Sequence, residues 1–393
     1  MLKPGSPLFF LCAALAVSGF AATGDRLEIK HEYFWDKNGV WNHTPAFSLS
    51  KALSRVWSFG WEQELDFVTG ASRRIGMENV GQTGDREMDA VSGASKIEGR
   101  HSENPSLTYS DQGTVYTGSL YYSREDDYLS LSPAVSVSFD FNERNTTLGA
   151  SYSEFFDSFE PRGPFAAEGG EKRIRSLGVN LAQSLTPFTL VGLTATYNRS
   201  WGYLGHPYNP PVAADGKMMT ERVPGGKSAG AVAAQLVQGF RLGERLGSLN
   251  VDFRKYQDDW GVKSNTLDAK LSKYVTESAF IRLRLRYYDQ TGALFAKDVY
   301  LGNEAYRTAD IRFFPFTSWL IGAKVSAAFP EEWEQSAFLP DRWDLKFDYT
   351  FRNTRGDRIP LSPTEPRSIR YQLYGPDETY TQGVIMIGLV FDL

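Results

Sequence analysis

From Leu129 to Phe141 the chain puts an apolar residue or proline at every second position: Leu129, Leu131, Pro133, Val135, Val137, Phe139 and Phe141. Ser130, Ser132, Ser136, Ser138 and Asp140 stand between them. A strand sends successive side chains to opposite faces, so this segment has one bare apolar face and one polar face. The apolar row is about as long as a bilayer core is thick. The same pattern returns at Leu249, Val251 and Phe253, at Leu267, Ala269 and Leu271, and at Ile281, Leu283, Leu285 and Tyr287, against Asp252, Arg254, Asp268, Lys270, Arg282, Arg284 and Arg286. Trp343, Leu345, Phe347, Tyr349 and Phe351 alternate with Asp344, Lys346, Asp348, Thr350 and Arg352.

Two architectures produce this alternation. A soluble sandwich turns the apolar face to a core and the charged face to water. A transmembrane barrel inverts it, apolar side to lipid and charged side to a wet lumen. Several features together favour the barrel. A soluble all-β chain of 393 residues divides into domains, yet no linker or composition shift divides this one. Mean hydropathy is -0.36, so the chain offers no apolar helix for spanning a membrane, and a barrel needs none. Trp35, Trp41, Trp57, Trp61, Tyr287, Tyr288, Trp319 and Trp343 fall near strand ends, where interfacial aromatic girdles sit.

Residues 1–21 read as a cleaved signal peptide: Lys3, an apolar run from Leu8 to Val17, then small residues at Gly19 and Ala21. Residues 22–393 read as a single barrel domain with a long irregular loop at about 70–113. The one cysteine, Cys12, lies in the leader, so the mature domain has no disulfide, c-type haem, iron–sulfur cluster or thiolate zinc site. A pI of about 5.6 and a net charge of -5 argue against nucleic acid as a partner.

The strand tally is about 16, with 14 or 18 within reach. Strands are expected at roughly 27–35, 40–53, 56–68, 114–122, 128–141, 146–156, 173–185, 188–199 and 228–240, three more over 249–288, and then 306–316, 318–329, 341–353 and 381–393. Asp36-Lys37-Asn38-Gly39 is a hairpin signal. One inconsistency stands. The long gaps near 70–113 and 354–379 have one parity and those near 157–172 and 200–227 the other, although long loops belong on one side. The last strand, Ile385, Ile387, Leu389, Phe391 and Leu393 on one face, partly matches an outer-membrane assembly signal, which makes lipid and the barrel-assembly machinery the expected partners.

Asp258-Asp259-Trp260-Gly261-Val262-Lys263-Ser264-Asn265-Thr266-Leu267, then Arg286-Tyr287-Tyr288-Asp289-Gln290, Ala293 and Phe295, resembles the bacterial domain-of-unknown-function family 3570. The family pattern reads D-D-W-G-x-x-S-H-T-L followed by R-Y-Y-x-Q-x-x-A-x-F, and Asn265 departs from its usual histidine. The resemblance implies a bacterial outer-membrane barrel and assigns no activity.

Candidate sites are few. Asp89-Ala90-Val91-Ser92-Gly93-Ala94-Ser95 resembles the motif that periplasmic flavin transferases modify, which makes Ser95 a candidate acceptor of covalent FMN and Asp89, Ser92, Gly93 and Ala94 its recognition residues. The same residues also fit a plain Asx- or Ser-capped turn. Arg282, Arg284 and Arg286 are expected to line the lumen with Asp268 and Lys270, either to favour anions or as a cross-strand ion-pair network. Glu125-Asp126-Asp127 and Asp258-Asp259 read as exposed turn residues or as a rim site for a divalent cation. His31, His43, His101 and His206 stand in no hydrolase motif, so an outer-membrane hydrolase is the weakest reading. The leading function is a channel or accessory barrel; the alternative is a flavin-carrying redox barrel.

Overall fold

A computed structural model describes residues 25–37, 40–69, 97–160, 169–205, 211, 213–215, 217, 219–329, 339–354 and 379–393. Sixteen antiparallel strands close into one barrel, each paired with its sequence neighbours and β1 with β16. The strands are β1 Arg26–Asp36, β2 Trp41–Ala52, β3 Trp57–Thr69, β4 Ile97–Asp111, β5 Thr114–Arg124, β6 Tyr128–Phe141, β7 Thr146–Phe159 and β8 Gly170–Thr186. They continue as β9 Thr189–Gly202, β10 Gly226–Leu242, β11 Arg245–Asp258, β12 Lys263–Tyr274, β13 Ala279–Gln290, β14 Phe316–Ala328, β15 Arg342–Thr354 and β16 Thr379–Asp392. The sandwich is therefore excluded.

The alternation is inverted relative to a soluble protein. Val135 is 59% exposed, while Ser132 on the same strand is 2% exposed. The exposed apolar row runs on around the barrel through Leu177, Leu193, Phe253, Leu283, Ile321 and Phe347. Followed once around, the pairing climbs by about one residue per strand, which inclines the strands by roughly 35° and sets a backbone radius of about 15 Å. At that slope Leu129 to Phe141 covers about 30 Å of height, close to an apolar transmembrane band.

One strand was missed and one expected strand is absent, and the two errors cancel in the total. Residues 97–111, expected to be irregular, form β4, so the span between strands there shrinks to 70–96. Of residues 306–316, expected to be a strand, only Phe316 belongs to one, as the start of β14; the rest hold a short 3-10 turn, Ile311–Phe313. The missing strand also removes the parity conflict. Connections 70–96, 160–169, 203–225, 291–315 and 355–378 now leave one rim, here the loop rim. The opposite rim carries tight links such as 112–113, 187–188 and 243–244, with 329–341 its one longer connection. Gln112 and Gly113 both have positive φ, as a two-residue hairpin matching strand twist requires. Asp25 and Leu393 are hydrogen-bonded at this rim, so β1 starts and β16 ends there.

Candidate functional site

A barrel of this radius is too wide for its own wall side chains to fill. The fully buried residues show what occupies it. Tyr300, Thr308 and Ala309 are 0% exposed and Asp310 is 1% exposed, and all four belong to the 291–315 connection. Its aromatic and small residues turn inward at the loop rim. Tyr300, Ala309 and Phe314 pack on Tyr380 of β16. Phe313 and Ala293 pack on Tyr256, Trp260, Ala229 and Ala231. The 203–225 connection joins them. Arg222 and Arg307 exchange backbone hydrogen bonds of 2.9 and 2.7 Å, and Ala214 N donates to Tyr300 O at 2.8 Å. Arg307 Nε donates to Thr220 O at 2.9 Å, and the Thr308 hydroxyl is held by Glu221. The two connections thus form one inward-folded unit across the mouth.

This unit is held by the residues that carry the family resemblance. Asp258 Oδ1 accepts from the Trp260 and Val262 amides at 3.1 and 2.9 Å. Its Oδ2 accepts from the Tyr256 hydroxyl at 2.8 Å and pairs with Lys227 at 3.0 Å. Gly261 sits at φ +94, the left-handed region where a side chain is strained, and a Cβ there would approach Leu294 Cγ to 2.7 Å. The turn presents Trp260 O to the Leu294 amide at 2.8 Å and Gly261 O to the Thr291 hydroxyl at 3.1 Å. Gln290 donates from one amide nitrogen to Arg312 O at 2.9 Å and Phe314 O at 2.7 Å. Trp260 is edge-on to both Phe295 and Phe313. The cation reading of Asp258-Asp259 is therefore corrected: Asp258 is buried and its oxygens are taken by donors, and Asp259 accepts from Ser228 N at 3.0 Å. Asn265, the departure from the family pattern, is on the outward face, away from this anchor.

Tyr300 and Arg312 set the electrostatics of the mouth. Burial pushes the Tyr300 phenol up to about 12. Its oxygen accepts from Thr308 N at 3.0 Å and Lys297 N at 3.2 Å and lies 3.1 Å from Phe295 O as donor. Burial opposes the Arg312 charge, but Asp310, which clasps it, outweighs that and raises its pKa, with Glu221 and Tyr128 of β6 adding to the field. Tyr128 belongs to the far wall, where its hydroxyl donates to Asp157 at 2.6 Å and Lys172 pairs with Asp157 at 3.0 Å.

Below the mouth lies a charged inner wall. Arg284 pairs with Asp268 at 2.5 Å and with Asp348 at 3.4 Å. Lys270 pairs with Asp252 at 3.3 Å, Lys346 with Asp348 at 2.9 Å and Lys324 with Asp344 at 2.7 Å. Arg282 Nε donates to Ser272 at 3.0 Å. Arg286 lies on the same inward face, opposite Asp268 in the register. Arg254 and Arg352 stack over Tyr256 and Phe316. On β11–β15 the inward cations Arg254, Lys270, Arg282, Arg284, Arg286, Lys324, Arg342, Lys346 and Arg352 outnumber the inward carboxylates Asp252, Asp258, Asp268, Asp344 and Asp348. The walls of β6 and β7 are instead built from Ser130, Ser132, Ser136, Ser151 and Ser153.

Among the aromatics expected in girdles, Trp41, Trp57 and Trp319 are outward and at least two-fifths exposed. Tyr288 is corrected: it faces inward, donating to Gln290 Oε1 at 2.6 Å beside Phe316. Residues 1–24, His206 and the whole Asp89–Ser95 motif with Ser92, Gly93 and Ala94 lie outside the described residues. Nothing in spacing alone singled out Tyr300, Glu221 or Arg312.

The chain is similar over 94% of its length to a bacterial polysaccharide outer membrane secretin, of which it covers 98%, at 6% identity and a TM-score of 0.49. It is similar to a BenF-like porin from Pseudomonas fluorescens Pf-5 at 9% identity and a TM-score of 0.43, covering 95% of this chain and 100% of that one. It is similar to the outer membrane protein opdK from Pseudomonas aeruginosa at 8% identity and a TM-score of 0.42, covering 93% and 98%. No curated protein matches the chain. Residues 13–340 match the family described as "Protein of unknown function (DUF3570)", and the chain belongs to that family.

Proposed function

We propose that the protein is a channel of the bacterial outer membrane for small, preferentially anionic solutes, narrowed at its outer mouth by the knitted 203–225 and 291–315 connections. The observation that carries this reading is the inner wall. It pairs a surplus of cations on β11–β15 with hydroxyl-bearing walls on β6 and β7, and such a surface is useful only if it is wetted. The orientation follows from the rims: tight links and both ends of the barrel strands lie on the periplasmic side, longer loops outside. The loop unit supports restricted passage, because it is anchored by hydrogen bonds to Gln290 and to the Asp258 turn.

Planar-bilayer recording is the test. The wild-type protein is expected to give small, anion-preferring steps. Gln290→Leu, which removes both holds on the 312–314 backbone, is expected to enlarge them. Replacing Arg282, Arg284 and Arg286 together with Gln is expected to move the reversal potential towards cation preference. Absence of conductance in both the wild type and Gln290→Leu would leave a structural barrel.

A further inference from the structure

The outward face is apolar around most of the barrel but not over β1–β5. On β3 the outward residues run Trp57, Phe59, Trp61, Gln63, Leu65 and Phe67, so Gln63 stands midway along a lipid-facing row. Its register partner is Glu103 on β4. Gln63 Nε2 and His101 Nε2 are 2.9 Å apart, and His101 Nε2 lies 3.1 Å from Glu103 Oε1. The Glu103 side chain keeps 36% exposure, directed away from the lumen. A second outward pair, His31 Nε2 and His43 Nδ1 at 3.1 Å, sits on β1 and β2. Hydrocarbon offers no partner to the remaining lone pairs of a carboxylate, so polar groups facing outward at this depth are normally covered by protein. Glu154 and Arg175 also face outward, but they pair with each other at 3.1 Å and Arg175 stacks over Trp201.

The same sector is shaped for close approach. Pro105 and Pro45 leave gaps in the β4–β5 and β2–β3 ladders, and each faces outward beside the polar cluster. Gly118, outward on β5 between Tyr116 and Leu120, has nothing within 4 Å of where a Cβ would stand. A hollow thus lies on the same sector, four residues along β4 from Glu103 in the register.

We infer that the β2–β5 face is an interface with a second copy of this chain. Copies inserted in one membrane share their orientation, so a symmetry axis along the membrane normal brings groups of equal height together. Glu103 supplies acceptors and Gln63, its register partner, supplies donors at nearly one height, so the pair complements itself. This inference holds whether or not the lumen conducts.

The test uses full-length protein in native outer membranes with Cys12→Ser, which removes the chain's one cysteine. With copper phenanthroline, Gly118→Cys is expected to give a dimer band on a non-reducing gel, whereas Leu283→Cys, on the lipid face of β13, gives none. Glu103→Leu with Gln63→Leu is expected to raise the monomer fraction in nanodisc mass measurements at least tenfold while leaving the folded, heat-modifiable barrel intact. Gly118→Cys that stays uncrosslinked and reacts fully with a lipid-phase maleimide overturns the inference. So does a Leu double variant whose oligomer distribution matches the wild type. Should the double variant fail to fold, the Gly118→Cys result decides alone.

Discussion

Arg284 on β13 reaches Asp348 on β15 across the intervening strand, at 3.4 Å, because the residue between them in the register is Gly322. A Cβ at Gly322 would stand 2.1 Å from Asp348 Oδ1. The glycine is a gap in the inner wall that lets one guanidinium neutralise two carboxylates, Asp268 and Asp348. Gly322→Ala is expected to push Asp348 aside and break the longer of the two pairs. The displaced atom ends a short side chain, so the stability cost should be about 1 kcal/mol or less. The larger effect is electrostatic and is read as a shift in bilayer reversal potential at unchanged barrel Tm.

Tyr300 couples the mouth to alkaline pH. Its folded-state pKa is raised to about 12 by burial, against an ordinary value of 10.0. A raised acid contributes stability that is complete below its unfolded value and is lost as pH climbs towards the folded one. The loop unit is therefore expected to loosen between pH 10 and 12, seen as a rise in conductance. Tyr300→Phe should abolish that pH step. It should also weaken loop closure at neutral pH by about 1–3 kcal/mol, because the Thr308 and Lys297 amides lose their acceptor. Hydrogen exchange at those amides measures it.

The lipid face is directly testable. A hydrophobic photolabel in reconstituted protein should mark Leu131, Val135, Val137 and Phe139 and spare Ser130, Ser132, Ser136 and Ser138. Equal labelling of both sets would contradict the inverted alternation of β6.

Ser95 remains a proposal of its own. If covalent FMN is attached there, intact mass should exceed the polypeptide by one FMN less water, and Ser95→Ala should remove the increment with the barrel still assembled. β3 ends and β4 begins at the loop rim, opposite the termini. A periplasmic transferase should therefore modify the precursor and not the inserted barrel. Mass spectrometry of both pools separates these outcomes, and an unmodified Ser95 in cells making the transferase disposes of the idea.

The two misread strands show where sequence reasoning loses its grip. On β4 the outward positions hold His101, Glu103 and Pro105, so the alternation that marks a lipid-facing strand is missing there. Over 306–315 the apolar residues Ala309, Phe313 and Phe314 mimic a strand, but they bury themselves in the mouth. An apolar residue reports that it leaves water; it does not report whether lipid or a loop core receives it.

The inward or outward sense of each regular strand was determined by sequence, because period-two alternation fixes which side chains share a face. That is why Arg282, Arg284 and Arg286 could be placed on one wall with Asp268 and Lys270. Closure decided the rest. Which carboxylate Arg284 meets depends on the stagger between three strands, and the role of Asp258 and Gln290 depends on a loop that returns from residues far along the chain. Such contacts join positions distant in sequence, and no local pattern encodes the register that brings them together.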